Sequence, residues 1–373
     1  MPLSPKISAL PSVLLMGPGP SCVPPEVYQA LSAPCIGHLD PRFIALMDSL
    51  KTDLQTLLRT QNHLTLPMSG TGSAGMETCF VNLIEKDDHV LVCVNGVFGG
   101  RMQDIASRLG AQVDTLEFPW GAPVDAEAVA GQLKKKHYSI LAVVHAETST
   151  GAVSPVAGIG ELCHAADTLY LVDTVTSLGG MDVRMDEWHV DAIYSGSQKC
   201  LSSPPGLSPV SFSERALARL NRRASKVPNW YLDMSMIVKY WEGAKRVYHH
   251  TAPINMIYGL HQAVRLVLEE GLEKVFARHL QVHEYLVEQL QGLGLSMLVA
   301  EGHRLPMLNA VNVPVGIDEA GVRSCLLTEY GIEIGAGLGP LAGKIWRIGL
   351  MGHTARKENV DRLVEAIKQL ITT

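Results

Sequence analysis

Two segments place reactive side chains directly after apolar runs. In LYLVDTVTSLGG, Asp173 follows four apolar or aromatic residues. That position is the expected C-terminal end of a parallel strand, the edge where ligands sit in open α/β sheets. A carboxylate there is poorly hydrated and needs a cationic partner, and a protonated pyridine nitrogen is one such partner. The position equally suits an acid that caps the next turn through its backbone. In YSGSQKCLSSPPG, Lys199 sits among small polar residues, with Ser195, Ser197 and Gln198 before it and Pro204, Pro205 and Gly206 after it. A lysine that forms imines must spend time as the neutral amine, and desolvation moves it toward that state. A loop lysine pointing into water has the same local sequence. The combination is more telling than either part, because two successive strands end in an acid and a lysine 26 positions apart.

Further segments could complete a site. Ser69-Gly70-Thr71-Gly72-Ser73 leads straight into a helical pattern. Backbone N–H groups at such a helix start bind phosphate, and the hydroxyls of Thr71 and Ser73 add donors. An ordinary capped helix after a turn reads the same way. No Gly-Lys-Ser/Thr follows, so it is not a Walker A loop. The preceding strand candidate, HLTLPM, is short and contains Pro67, unlike a dinucleotide-binding unit. Phe98 in VNGVFGGR is a flat ring at a strand end, suited to stacking on a planar group or to the core. AETSTGAV closes another strand with Thr148, Ser149 and Thr150, which could bond a ring substituent or simply turn the chain. Arg347 in KIWRIGLMG lies inside an apolar strand pattern and needs an anion, either a substrate carboxylate or a structural acid. RVYHHTAP holds Tyr248, His249, His250 and Thr251; with no third ligand at a familiar spacing, a metal site is not expected there.

The elements that must position these residues follow from periodicity. HVLVCVNG, SILAVVHAE, LYLVDTV and DAIYSGS read as buried strands separated by helical stretches such as FGGRMQDIASRLG and VAGIGELCHAADT. That alternation predicts a mainly parallel sheet between helices. After about residue 253 the pattern turns strongly helical, with an interruption near Gly271. Shorter strands, LNAVNVPV and KIWRIGL, and a final amphipathic helix then predict a smaller C-terminal α+β domain. The expected division is an arm over 1–18, a large domain over 19–268 and a small domain over 269–373.

Composition narrows the function. Hydrophobic residues make up 47% of the 373 residues, enough for a sizeable core and against disorder. A formal net charge of −6 argues against nucleic acid as partner. Seven scattered cysteines with no C-x-x-C pair argue against a disulfide framework or zinc site and fit a reducing compartment. The first residues lack a long apolar run, and the chain ends in ITT, so the expected location is the cytoplasm.

Taken in order, LLMGPGPSCVPPEV, LTLPMSGTGSAGMET, VNGVFGGR, HAETSTGAV, LVDTVTSLGG, YSGSQKCLSSPPG, YHHTAP and GLGPLAGKIWRIGLMG resemble the class V aminotransferases of fold type I. Within that family the likeness is greatest to those acting between alanine or serine and a small oxo acid such as glyoxylate. The resemblance implies pyridoxal 5′-phosphate as cofactor. Lys199 would hold it as a Schiff base and shift protons, and Asp173 would pair with the pyridine nitrogen. Thr71, Gly72 and Ser73, with Gln198 beside them, would take the phosphate. Phe98 would stack on the ring, and Thr148 would contact the region of its oxygen. Tyr248 and Thr251 would reach the phosphate of the other subunit of a homodimer. Arg347 would hold the substrate α-carboxylate, and Pro18 and Gly19 would line the substrate pocket.

The resemblance further implies transamination between a small amino acid and a small 2-oxo acid, with alanine and glyoxylate as the leading pair. Serine–glyoxylate, aminophosphonate or pyridoxamine aminotransferases and a lyase of the same fold share these motifs. A desulfurase would need a mobile cysteine, and Cys200 beside Lys199 looks too constrained. Two positions depart from the family pattern. Phe98 stands where relatives often carry tryptophan, which predicts weaker stacking, and Ser73 stands where some carry histidine.

Overall fold

The computed structural model describes residues 10–243 and 246–371. Residues 1–9 of the expected N-terminal arm lie outside the described residues. The apolar runs become one seven-stranded sheet. In chain order its strands are Leu64–Ser69 (β1), His89–Val94 (β2), Gln112–Glu117 (β3), Ile140–Val144 (β4), Leu169–Asp173 (β5), Ala192–Tyr194 (β6) and Leu207–Phe212 (β7). Their spatial order is β1-β7-β6-β5-β4-β2-β3. Strands β2 to β6 run parallel, while β7 is antiparallel to both β6 and β1. Every residue of β4 and β5 is buried, which requires cover on both faces and explains their unbroken apolar sequence. Pro67 is tolerated because β1 is an edge strand, bonded only to β7.

One expected strand is shorter than the sequence pattern implies. SILAVVHAE leaves the sheet after Val144, and Ala146–Glu147 pairs instead with Ala152–Val153 in a small hairpin. Long-range bonds fix the break. The Val153 N–H donates to the His303 carbonyl at 2.9 Å and the Leu305 N–H to the Gly151 carbonyl at 2.8 Å. These tie the hairpin to the C-terminal part of the chain.

Helices Gly72–Leu83 (α1) and Val97–Arg108 (α2) follow β1 and β2 directly. Farther on, Ile254–Glu270 (α3) and Leu272–Gly292 (α4) are separated by Gly271, whose φ of +90° ends one helix at a conformation glycine adopts freely. A second sheet joins Leu308–Asn312 (β8), Gly335–Ala336 (β9) and Ile345–Gly349 (β10) in the order β8-β10-β9. It packs with α4 and the last helix, Lys357–Ile371 (α5), around Leu286, Leu290, Trp346, Leu363 and Ile367. Helix α4 bridges the two cores, since Val275 belongs to the larger and Val282 to the smaller.

The N-terminal segment joins the smaller core. Leu14–Leu15 pairs in parallel with Ile332–Glu333, Met16 is buried there, and the Gly349 N–H donates to the Met16 carbonyl at 2.7 Å. No described helix is long and apolar enough to cross a membrane.

Candidate active site

Parallel strands β5 and β6 end in register on Asp173 and Tyr194. The Tyr194 hydroxyl donates to Asp173 Oδ2 at 2.7 Å, and the Val175 N–H donates to Oδ1 at 2.8 Å. The second bond is the turn-capping contact that the sequence alone left open. The first turns the carboxylate into a held group inside the protein. Asp173 is only 3% exposed, and burial raises its pKa to about 6 against the opposing pull of the Tyr194 and Val175 bonds. No ion pair among the described residues neutralises it.

The chain turns after β6 and delivers Lys199 to the same end of the sheet. Lys199 is 8% exposed, and burial lowers its pKa to about 8, with the nearby Arg347 charge acting in the same direction. Its Nζ donates to the Pro18 carbonyl. The backbone around it is clamped to the N-terminal segment. The Ser21 hydroxyl donates to the Lys199 carbonyl at 2.7 Å, and the Ser21 N–H donates to the Gln198 carbonyl at 2.9 Å. Gly19 has φ +108°, and a Cβ added there would stand 2.6 Å from Lys199 Nζ. Pro18 and Gly19 therefore lie directly against the amine.

The Thr71–Ser73 loop meets these strand ends. A Cβ on Gly72 would stand 3.5 Å from both the Ser195 carbonyl and Val175 Cγ2, so α1 starts between the Asp173 and Lys199 segments. Thr71 occupies the cap position of α1, yet its hydroxyl makes no capping bond and stays available. Ser73 Oγ accepts a long hydrogen bond of 3.5 Å from Arg101 Nη1. Gln198 Oε1 is buried with no partner among the described residues. Free hydroxyls at a helix start, with its N–H groups, form a donor set suited to phosphate.

Phe98 lies on the first turn of α2, half-buried against the main core. Thr148 is buried, and its carbonyl accepts from Arg347 Nη1 at 3.1 Å. Arg347, 7% exposed in the middle of β10, also donates from Nε to the Ala336 carbonyl at 2.6 Å. No acid among the described residues forms an ion pair with it, so its charge is held by neutral carbonyls. Such an arginine retains the capacity to bind a carboxylate.

Tyr248 and Thr251 are exposed, and the Tyr248 ring lies 5.3 Å from His38. No hydrogen bond among the described residues joins either one to the other candidates. His249 stacks on Trp230 at 4.4 Å, and His250 bonds Ser69 Oγ at 2.8 Å.

Three site residues escaped the sequence reading: Tyr194, Ser21 and Glu147. Tyr194 stood in the quoted segment DAIYSGS, but its bond to Asp173 depends on strand register, which local spacing does not encode. Glu147 lies in AETSTGAV, where only the hydroxyls of Thr148, Ser149 and Thr150 drew notice. Its burial was the missing signal.

The chain matches the aminotransferase class-V family model over residues 13–363. It is 40% identical over 364 residues to the (S)-ureidoglycine–glyoxylate transaminase of Bacillus subtilis, covering 93% of this chain and 87% of that protein. The alanine–glyoxylate aminotransferase of Mus musculus is also 40% identical, over 97% of this chain and 88% of its own length. A crystal structure of the alanine–glyoxylate aminotransferase from Nostoc sp. superposes with a TM-score of 0.97 at 50% identity, covering 99% of this chain and 98% of that one. Agreement of this extent, around an acid and a lysine at adjoining strand ends, is that of shared descent, and the chain belongs to the class-V aminotransferases, a pyridoxal-phosphate-dependent family.

Proposed function

We propose that this chain transfers the amino group of L-alanine to glyoxylate, yielding pyruvate and glycine, with serine as a second donor. The observation that carries the reading is the buried Arg347, held by two carbonyls with no acid paired to it among the described residues, close enough to Lys199 to depress its pKa. A substrate held there by its carboxylate would present its α-carbon to the amine.

The residues fit pyridoxal phosphate. Among the described residues, Asp173 is a buried carboxylate with no ion pair, Gln198 Oε1 has no partner, and the Thr71 hydroxyl makes no capping bond. Bound there, the cofactor supplies a protonated ring that withdraws electrons from the substrate α-carbon. Asp173 keeps the ring nitrogen protonated. Lys199 would hold the cofactor through Nζ and, as a neutral amine, would take the α-proton and return it. A pKa near 8 leaves a useful neutral fraction at physiological pH. Thr71, Gly72, Ser73 and Gln198 would hold the phosphate, Phe98 would stack on the ring, and Thr148 would contact the region of its oxygen. Gly19 and Pro18 crowd the amine and limit the substrate to a small side chain.

We further infer a cytoplasmic homodimer in which Tyr248 and Thr251 complete the other subunit's phosphate site. Tyr248 and Trp230, 58% and 60% exposed, support this as large aromatic surfaces left to water by a single chain. The lyase reading loses support at Cys200. Burial pushes that thiol up to about 12, and it donates to the Thr176 carbonyl at 3.2 Å, which keeps it from acting as a mobile thiolate.

A half-reaction screen tests the substrate claim. Holoenzyme is mixed with single amino acids while the bound-cofactor absorbance is followed. Alanine and serine should convert it and glutamate should not; the reverse pattern overturns the substrate assignment. Ureidoglycine belongs in the same screen, because its Bacillus subtilis transaminase is as similar to this chain as the Mus musculus alanine enzyme is. Lys199→Ala should lose both turnover and the visible band. Sedimentation of the holoenzyme tests the dimer.

A further inference from the structure

Helix α2 starts at Gly96 with no capping side chain of its own. Its first N–H groups are satisfied from another part of the chain. The Val97 N–H donates to Ser149 Oγ at 3.0 Å, and the Phe98 N–H donates to Glu147 Oε2 at 3.1 Å. The Ser149 hydroxyl and N–H both donate to Glu147 Oε1, at 2.6 and 3.0 Å. Glu147 is completely buried, and no ion pair among the described residues involves it. A fully buried carboxylate is costly unless donors and a helix dipole compensate it, and here both converge on one side chain. The fit is tight enough to demand glycine at the start of the helix, since a Cβ on Gly96 would stand 2.5 Å from Glu147 Cδ.

We propose that Glu147 is a positioning residue that sets the tilt of the Phe98 ring, and through it the grip on the cofactor, by capping the first turn of α2 from the neighbouring hairpin. This rests on the reading that Phe98 faces pyridoxal phosphate. Were Glu147 not packed against Gly96, a serine or asparagine at position 96 would suffice to cap the helix locally. The cap instead comes from the residue before Thr148, whose carbonyl anchors Arg347. One two-residue segment thus holds both the ring-facing turn and the carboxylate-binding arginine. Burial raises the Glu147 pKa, while the Ser149 and Phe98 bonds act to keep it ionised.

Glu147→Gln keeps the shape but accepts through one oxygen, so it must release either the Ser149 donors or the Phe98 donor. The test is a double-mutant cycle on full-length holoenzyme. The variants are E147Q, F98A and the double variant, and pyridoxal phosphate affinity is read from the visible band after dilution. E147Q should weaken binding about tenfold when Phe98 is present and less than twofold in the F98A background. The same loss in both backgrounds, or no loss in either, overturns the inference, as a cap that only stabilises the helix would give additive effects. A wild-type chain that takes up no pyridoxal phosphate overturns the cofactor reading itself, and the inference with it.

Discussion

Tyr194 holds Asp173 from the adjacent strand: its hydroxyl stands 2.7 Å from Oδ2, and the two residues are register partners at the ends of β6 and β5. This bond favours the charged carboxylate and partly offsets the burial that lifts its pKa to about 6. Tyr194→Phe should therefore raise that pKa further. Asp173 must be ionised to pair with a ring nitrogen, so the acidic limb of kcat/KM should move to higher pH, with activity at neutral pH falling about tenfold. A pH–rate profile checks this; an unmoved limb removes Tyr194 from that role.

Asp173→Asn should change how the cofactor-free protein responds to pH. The folded-state pKa of Asp173 lies above its unfolded value, so the folded chain binds this proton more tightly. Its stabilising contribution is present below about pH 4 and is lost as pH rises through about 6. Above that, the folded chain carries a buried charge. The stability of D173N relative to wild type should rise by about 2 kcal/mol between pH 4 and pH 7. Urea unfolding at both pH values measures it, and the opposite trend would mean the fold favours the anion.

Gly19→Ala combines a backbone penalty at φ +108° with a methyl group 2.6 Å from the Lys199 amine. The strain costs about 1–3 kcal/mol. The fold should survive, with a small drop in unfolding temperature, while kcat falls about 100-fold because the amine must move. Circular dichroism and steady-state rates together separate this from global unfolding.

Arg347→Lys keeps the charge but cannot span the Ala336 and Thr148 carbonyls and still offer a fork to a carboxylate. KM for the amino acid and the oxo acid should rise about 10- to 100-fold, with a smaller change in kcat. On the proposed role of Arg347 in holding the substrate carboxylate, cofactor affinity should stay within about twofold of wild type. A loss of cofactor binding equal to the rise in KM would place the arginine elsewhere in the mechanism.

Much of the fold was legible because burial leaves a local trace. Strands β4 and β5 read as strands from unbroken apolar runs, and Gly271 read as a break between helices. The short strand with Pro67 read as unlike a dinucleotide-binding unit, and it lies at the edge of the sheet as β1. The hairpin after Val144 was not legible, because the bonds that bend it come from His303 and Leu305, more than a hundred residues away. Tyr194, Ser21 and Glu147 were missed for the same reason, since each acts on a residue brought near by topology.

The Lys199 and Asp173 pair stood out in the sequence because the reactive group types and the strand endings that carry them are local properties. What tertiary structure alone decided is their chemical state. The N-terminal segment pairs with Ile332–Glu333, bonds Gly349 of the second sheet and lays Pro18 and Gly19 against the lysine, whose burial draws the amine down to about 8. Strand register sets Tyr194 against Asp173, and a hairpin anchored far along the chain brings Glu147 under Phe98. Protonation and orientation depend on desolvation and on distances of a few ångströms between remote residues, and only the folded chain supplies those.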